Sequence, residues 1–87
     1  MAKLNNLPVT GELHFKHVSN KQFLTGYLTF ENSMHAFAVA LADRVVLPFR
    51  GIANINGRRQ EVETDVFIQR VNGNVALVVS SGTYLEV

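Results

Sequence analysis

The side chains available for chemistry are three histidines, a sparse set of carboxylates and hydroxyls, and no cysteine. Thiolate metal sites, disulfides and cysteine nucleophiles are therefore excluded. His14 and His17 stand three residues apart in a segment of strand-like alternation, so they point to opposite faces and cannot hold one ion together. His35 falls on the inward side beside Phe30, at a turn, and no carboxylate stands at a ligand spacing to complete a metal set. Glu61, Glu63 and Asp65 share one strand face, an arrangement capable of general acid–base work or of holding a divalent cation. Their expected cross-strand neighbours are Ile52, Arg50 and Pro48, which makes the row a solvated surface with Arg50 facing Glu63. Ser80 and Ser81 lack a glycine elbow, and the six glycines form neither a GxGxxG nor a phosphate loop. The expectation is no enzyme, no metal and no cofactor.

Binding residues are a better match to the sequence. On one outward face Lys16 is expected opposite Phe23, His14 opposite Thr25, and Glu12 opposite Tyr27. If the next strand runs over 34–42, Ala38, Ala40 and Ala42 lie beside Tyr27, Thr25 and Phe23 as a small-residue floor. Two aromatic rings edged by cations can stack the bases of a single strand of nucleic acid. The same small-residue face also suits close packing against a second layer or a subunit. Arg58 and Arg59, beside the Asn56-Gly57 turn, could reach a phosphate or an acidic patch from a hairpin tip. The candidate binding surface is thus Phe23, Tyr27, His14, Lys16, Arg58 and Arg59.

These residues need strands to position them, and turn signals recur through the chain. Ser19-Asn20, Asn32-Ser33, residues 42–44, Asn56-Gly57, Asn72-Gly73 and Ser81-Gly82 are separated by apolar alternation. Asn-Gly is a strong hairpin signal because both residues tolerate the positive φ that a type I′ turn requires. A register test supports the hairpins, since a one-residue slip would turn every side chain to the other face. With Ser19-Asn20 as a two-residue loop, Val9, Gly11, Leu13 and Phe15 oppose Phe30, Leu28, Gly26 and Leu24. Around Asn56-Gly57, Leu47, Phe49 and Gly51 oppose Val66, Thr64 and Val62. Around Asn72-Gly73, Val66 and Ile68 oppose Val79 and Leu77. The inward set is completed by Phe37, Val39, Leu41 and Val45.

The expected fold is all-β: a six- to seven-stranded antiparallel meander closing as a small barrel or two-layer sandwich. Strands are expected near 9–18, 21–31, 34–42, 44–55, 58–71, 74–80 and 83–87, with the last closing the barrel or pairing with a second copy. The rival for 34–43 is a helix with Asn32 or Ser33 as N-cap and four alanines inside. That rival gives the alternative fold, an OB-like five-stranded barrel with one short helix. Residues 1–87 are read as a single β domain with 1–7 as a flexible lead.

Length and composition bound the rest. With 87 residues, 47% hydrophobic and 17% charged, the chain matches an ordinary globular domain, somewhat poor in charge. So small a domain buries a limited fraction of its surface, and association would stabilise it. A net charge of +1 and a pI of 8.2 are too weak to indicate a nucleic-acid or membrane partner alone. The longest apolar run, 36–42, falls far short of the ~20 residues of a membrane helix, and a cytoplasmic protein is expected. The expected function is a non-catalytic binding or assembly module acting through protein contacts and self-associating. The alternatives are a small β-barrel that binds single-stranded nucleic acid and, more remotely, a small enzyme.

Overall fold

The computed structural model of the chain describes residues 2–40, 46–81 and 85–86, and for 37–40 and 85–86 the backbone alone. In order, the elements are β1 (Ala2–Leu4), β2 (Leu7–Thr10), β3 (Leu13–Val18), β4 (Lys21–Phe30), α1 (Ser33–Ala40), β5 (Val46–Ile55), β6 (Arg58–Asn72), β7 (Val75–Ser80) and β8 (Leu85–Glu86). They form one sheet in the order β2-β1-β5-β3-β4-β7-β6-β8, with β2–β4 and β5–β6 as additional pairings. The strands β5, β3, β4, β7 and β6 thereby close a ring of hydrogen bonds. The all-β expectation is met, with a single short helix among the described residues.

Turn chemistry explains where the chain reverses. Asn5 and Asn6 (φ 54° and 63°), Ser19 and Asn20 (49° and 66°), and Asn56 and Gly57 (54° and 82°) all take the left-handed conformation. Two consecutive positive φ values are what a type I′ hairpin needs, and asparagine adopts them at low cost. The Asn5-Asn6 turn carries a hairpin, β1–β2, within the segment expected to be a lead, and it buries Leu4 completely.

Two expected registers are observed. β2 and β3 run along β4 as one interrupted strand, with Val9 opposite Phe30, His14 opposite Thr25 and Phe15 opposite Leu24. β5 and β6 pair with Leu47 opposite Val66, Arg50 opposite Glu63 and Gly51 opposite Val62. The interruption falls at Gly11 and Glu12, where the chain bends around β4. A Cβ on Gly11 would lie 2.4 Å from the Tyr27 carbonyl oxygen, and one on Gly26 would lie 2.5 Å from that of Glu12. Backbone meets backbone at this crossing, which only glycine permits. The bend frees β3 to pair in parallel with β5 through Leu13 and Ala53, while β1 pairs antiparallel with β5 beside it.

Three expectations are corrected. First, the strand expected over 34–42 is replaced by α1, which spans Ser33–Ala40. Asn32 is its N-cap, accepting the Met34 N–H on Oδ1 at 2.8 Å, and the alanines that follow are the best helix formers. Replacing Asn32 by Ala is expected to cost about 1 kcal/mol in urea unfolding, and no loss would show that the cap is idle. Second, β4 pairs with β7, so Leu77 and Val79 stand opposite Tyr27 and Thr25 where a strand bearing Ala38 and Ala40 was expected. The side chains of Phe37, Ala38, Val39 and Ala40, and all of Leu41, Ala42 and Val45, lie outside the description. Third, the fold is not a pure antiparallel meander, because β3 and β5 are parallel and β4–β7 joins distant segments.

β7 also sits one residue out of the expected register. Val66 opposes Ser80 and Ile68 opposes Val78, with a bulge between Ile68 and Arg70. The hairpin closes with Asn72 opposite Val75, leaving Gly73 and Asn74 as the loop and Gly73 at φ 60°. A one-residue slip exchanges the faces of a strand. Ala76 and Val78 are therefore fully buried, and Leu77 and Val79 turn outward.

The core is one cluster contributed by every strand from β1 to β7 and by Ala36 of α1, with Leu13, Leu24, Leu28, Phe30, Phe49 and Val66 among its larger members. The β4–β7 seam is closed partly by side chains. The Leu24 N–H donates to Ser80 Oγ at 2.8 Å in a buried position, and Thr25 Oγ1 donates to the Val78 carbonyl at 2.7 Å. Ser80→Ala strands the buried Leu24 N–H and is expected to lower stability by about 1–3 kcal/mol; an unchanged urea midpoint would overturn that role.

Candidate functional site

Alternation along β3, β4, β7 and β6 sends every second side chain outward, and Phe23, Tyr27, Val75, Leu77, Val79 and Phe67 stand among them. The central row runs across five strands: His14 on β3, Thr25 on β4, Val79 on β7, Phe67 on β6 and Val46 on β5. One row towards the Asn72 turn, Tyr27 lies opposite Leu77, and Leu77 opposite Arg70. In the other direction Phe23 lies opposite Lys16. Tyr27 is 59% exposed, and Phe67 and Val46 are each 41% exposed. These are large apolar groups left in water on adjoining strands, where scattered single residues would be unremarkable.

Two clefts are cut into this face. Lys21, Gln22, Phe23, Phe67, Val79 and Ser81 line a depression of about 420 Å³. Tyr27, Arg70, Asn72, Val75 and Leu77 line a second of about 260 Å³, combining an aromatic ring, a guanidinium and an amide.

Further along β5 and β6 many of the outward side chains are charged. Arg50 on β5 hydrogen-bonds Glu61, its diagonal neighbour on β6, at 3.1 Å and approaches Glu63, the partner expected from the register, at 3.8 Å. Arg59 pairs with Glu12, ahead of β3. All of these side chains are substantially in water, where each pair contributes about 0–1 kcal/mol. Along β5 and β6 the charged stretch around Arg50 and Glu63 thus gives way to the apolar pair Val46 and Phe67.

The structure brings Phe23, Tyr27, His14 and Lys16 together on adjoining strands β3 and β4. Arg58 and Arg59 stand apart from them, at the start of β6 with β5 between it and β3, and Arg59 is engaged by Glu12. In place of the alanine row, the face is completed by Leu77, Val79, Phe67 and Arg70. The signal for them was the outward parity of Phe67 on its strand; Leu77 and Val79 were hidden by the bulge. Among the described residues, no group of three His, Asp or Glu side chains is placed to share a metal ion. No helix among them is long and apolar enough to cross a membrane. No protein-family model, curated protein or solved structure matches the chain.

Proposed function

We propose that this chain is a non-catalytic binding and assembly module that works through protein contacts and associates with itself. The observation that carries the reading is the band of Tyr27, Leu77, Val79, Phe67 and Val46, continuous across four strands and exposed at both aromatic rings. Interface centres are depleted in charge and rich in aromatic residues, and this band has that composition, with charged residues at its rim. Covering it removes apolar area from water at about 25 cal/mol per Å², and a small domain gains from that disproportionately. Light scattering over a concentration series is the test. The expected result is a species larger than one chain by the high micromolar range, and a monomer throughout counts against the reading.

A second reading is favoured by one feature, the cleft that sets Tyr27 beside Arg70 and Asn72. Such a trio could stack a base and hold its phosphate, as single-strand binders do. Anisotropy of a labelled oligonucleotide at low salt tests it: binding that weakens steeply with salt supports it, and no binding removes it.

A further inference from the structure

The chain holds two Asn-Gly pairs, Asn56-Gly57 and Asn72-Gly73, each at the turn of a hairpin. Asparagine before glycine is prone to lose its side-chain amide, because glycine has no Cβ to obstruct its own nitrogen. That nitrogen attacks the asparagine Cγ and expels ammonia, which carries off the proton of the attacking N–H, and a five-membered cyclic imide forms. Water then opens the ring at either carbonyl and leaves aspartate or isoaspartate, so water is the sole co-reactant. Sterically the two pairs are equal, since nothing lies within 4 Å of a Cβ built on either glycine. They differ in what holds the attacking nitrogen. The Gly57 N–H donates to Asn54 Oδ1 at 3.0 Å, and ring closure at Asn56 must first break that bond. The Gly73 N–H has no such acceptor among the described residues; its loop is tied through the Asn74 carbonyl, which accepts the Phe30 N–H at 2.8 Å. Asn72 and Gly73 are both exposed. Asn72 and Val75 form the last pair of their ladder, beyond the bulge, where opening costs little.

We propose that Asn72 is a modification site that deamidates spontaneously by this route, while the hydrogen bond from Gly57 to Asn54 protects Asn56. The consequence falls on the cleft beside Tyr27, which Arg70 and Asn72 both line. The two stand two residues apart on β6, on one side of the strand and about 7 Å apart along it. A carboxylate at position 72 sets a negative charge beside the Arg70 guanidinium and competes for it with any anion from outside. Isoaspartate in addition lengthens the backbone by one carbon at the residue that closes the hairpin against Val75. The reaction uses only the turn and water, so it holds whether the face takes protein or nucleic acid.

The test is incubation of the folded chain in mildly alkaline buffer, followed by digestion after arginine and mass spectrometry. Cleavage after Arg50, Arg58 and Arg70 puts Asn56 and Asn72 on different peptides, and fragmentation separates Asn72 from Asn74. The Asn72 peptide should convert to a mixture of aspartate and isoaspartate about fivefold faster than the Asn56 peptide, the rate equivalent of one hydrogen bond of ordinary net strength. In urea, where neither turn is formed, the two rates should converge. Asn54→Ala frees the Gly57 nitrogen and should raise the Asn56 rate in the folded chain by the same factor, leaving the Asn72 rate unchanged. Thermal melts matching wild type would show that this gain is not a lost fold. An Asn72 that stays intact in the folded chain, or reacts no faster than Asn56, overturns the proposal. A difference that persists unchanged in urea overturns the fold as its cause, and an Asn56 rate indifferent to Asn54→Ala overturns the protecting bond.

Discussion

Gly26→Ala should lower stability by about 3 kcal/mol, at the upper end of the range for overpacking a core. Gly26 is buried where β4 crosses the bend at Gly11 and Glu12, and an added Cβ would stand 2.5 Å from the Glu12 carbonyl oxygen and 3.2 Å from the Leu13 Cα. Both atoms belong to the backbone, so no side-chain rotation relieves the contact. Relief would require opening the bend, and the bend lets one continuous segment pair with β1 at one end and β5 at the other. Gly11→Ala should cost more, because its Cβ would lie 2.4 Å from the Tyr27 carbonyl and its φ of 125° is outside the usual range of an L-residue. The two substitutions act on one crossing and should not add. Gly57→Ala is the control, since nothing lies within 4 Å of its Cβ and only the strain of φ 82° applies, about 1 kcal/mol. With a urea m-value of about 1–2 kcal/mol/M, the Gly26→Ala midpoint should fall by about 2 M. If Gly26→Ala costs no more than Gly57→Ala, the close crossing is not what shapes the barrel.

Sequence parity carried as far as each strand had one polar and one apolar side. The β3–β4 and β5–β6 registers were legible because Lys16, His14, Arg50 and Glu63 mark the outward positions and the turn residues mark the loops. β7 failed this condition. Val75, Ala76, Leu77, Val78 and Val79 are apolar at both parities, so a one-residue slip leaves no trace in composition. The bulge after Ile68 then supplied such a slip. Residues 34–40 failed it for a related reason: Met, Ala, Phe and Val fill both a strand pattern and a helix pattern. There the local physics of the Asn32 cap and the alanines prevailed over pairing with β4. The partner that β4 takes instead lies some fifty residues along the chain, with Thr25 opposite Val79, beyond what hairpin logic can reach. The candidate site was legible in its β3–β4 half for the same reason, through Phe23, Tyr27, His14 and Lys16. Its β6–β7 half, with Phe67, Leu77, Val79 and Arg70, depended on that unseen pairing.

Replacing Tyr27 and Phe67 together by Ser should weaken self-association by at least about a hundredfold, because truncating a central aromatic anchor typically costs 2 kcal/mol or more. The cost to folding should be small, about 1 kcal/mol, since both rings project into water and contribute cross-strand contacts with Leu77, Val79 and Val46. Leu28→Ala supplies the opposite pattern. Leu28 is fully buried in the core, so its loss should cost about 2–5 kcal/mol of stability and leave the affinity of the folded chains unchanged. Measuring unfolding and association on the same samples separates the two effects. The single variants then discriminate between the readings of the face. Protein docking across the whole band requires both rings, so Tyr27→Ser and Phe67→Ser should each weaken it. Stacking of a base in the cleft beside Arg70 and Asn72 requires Tyr27, which lines that cleft, and not Phe67, which lines the other. Loss on Tyr27→Ser alone would assign the surface to a stacked ligand, and loss on both assigns it to a protein contact spanning β4 to β6.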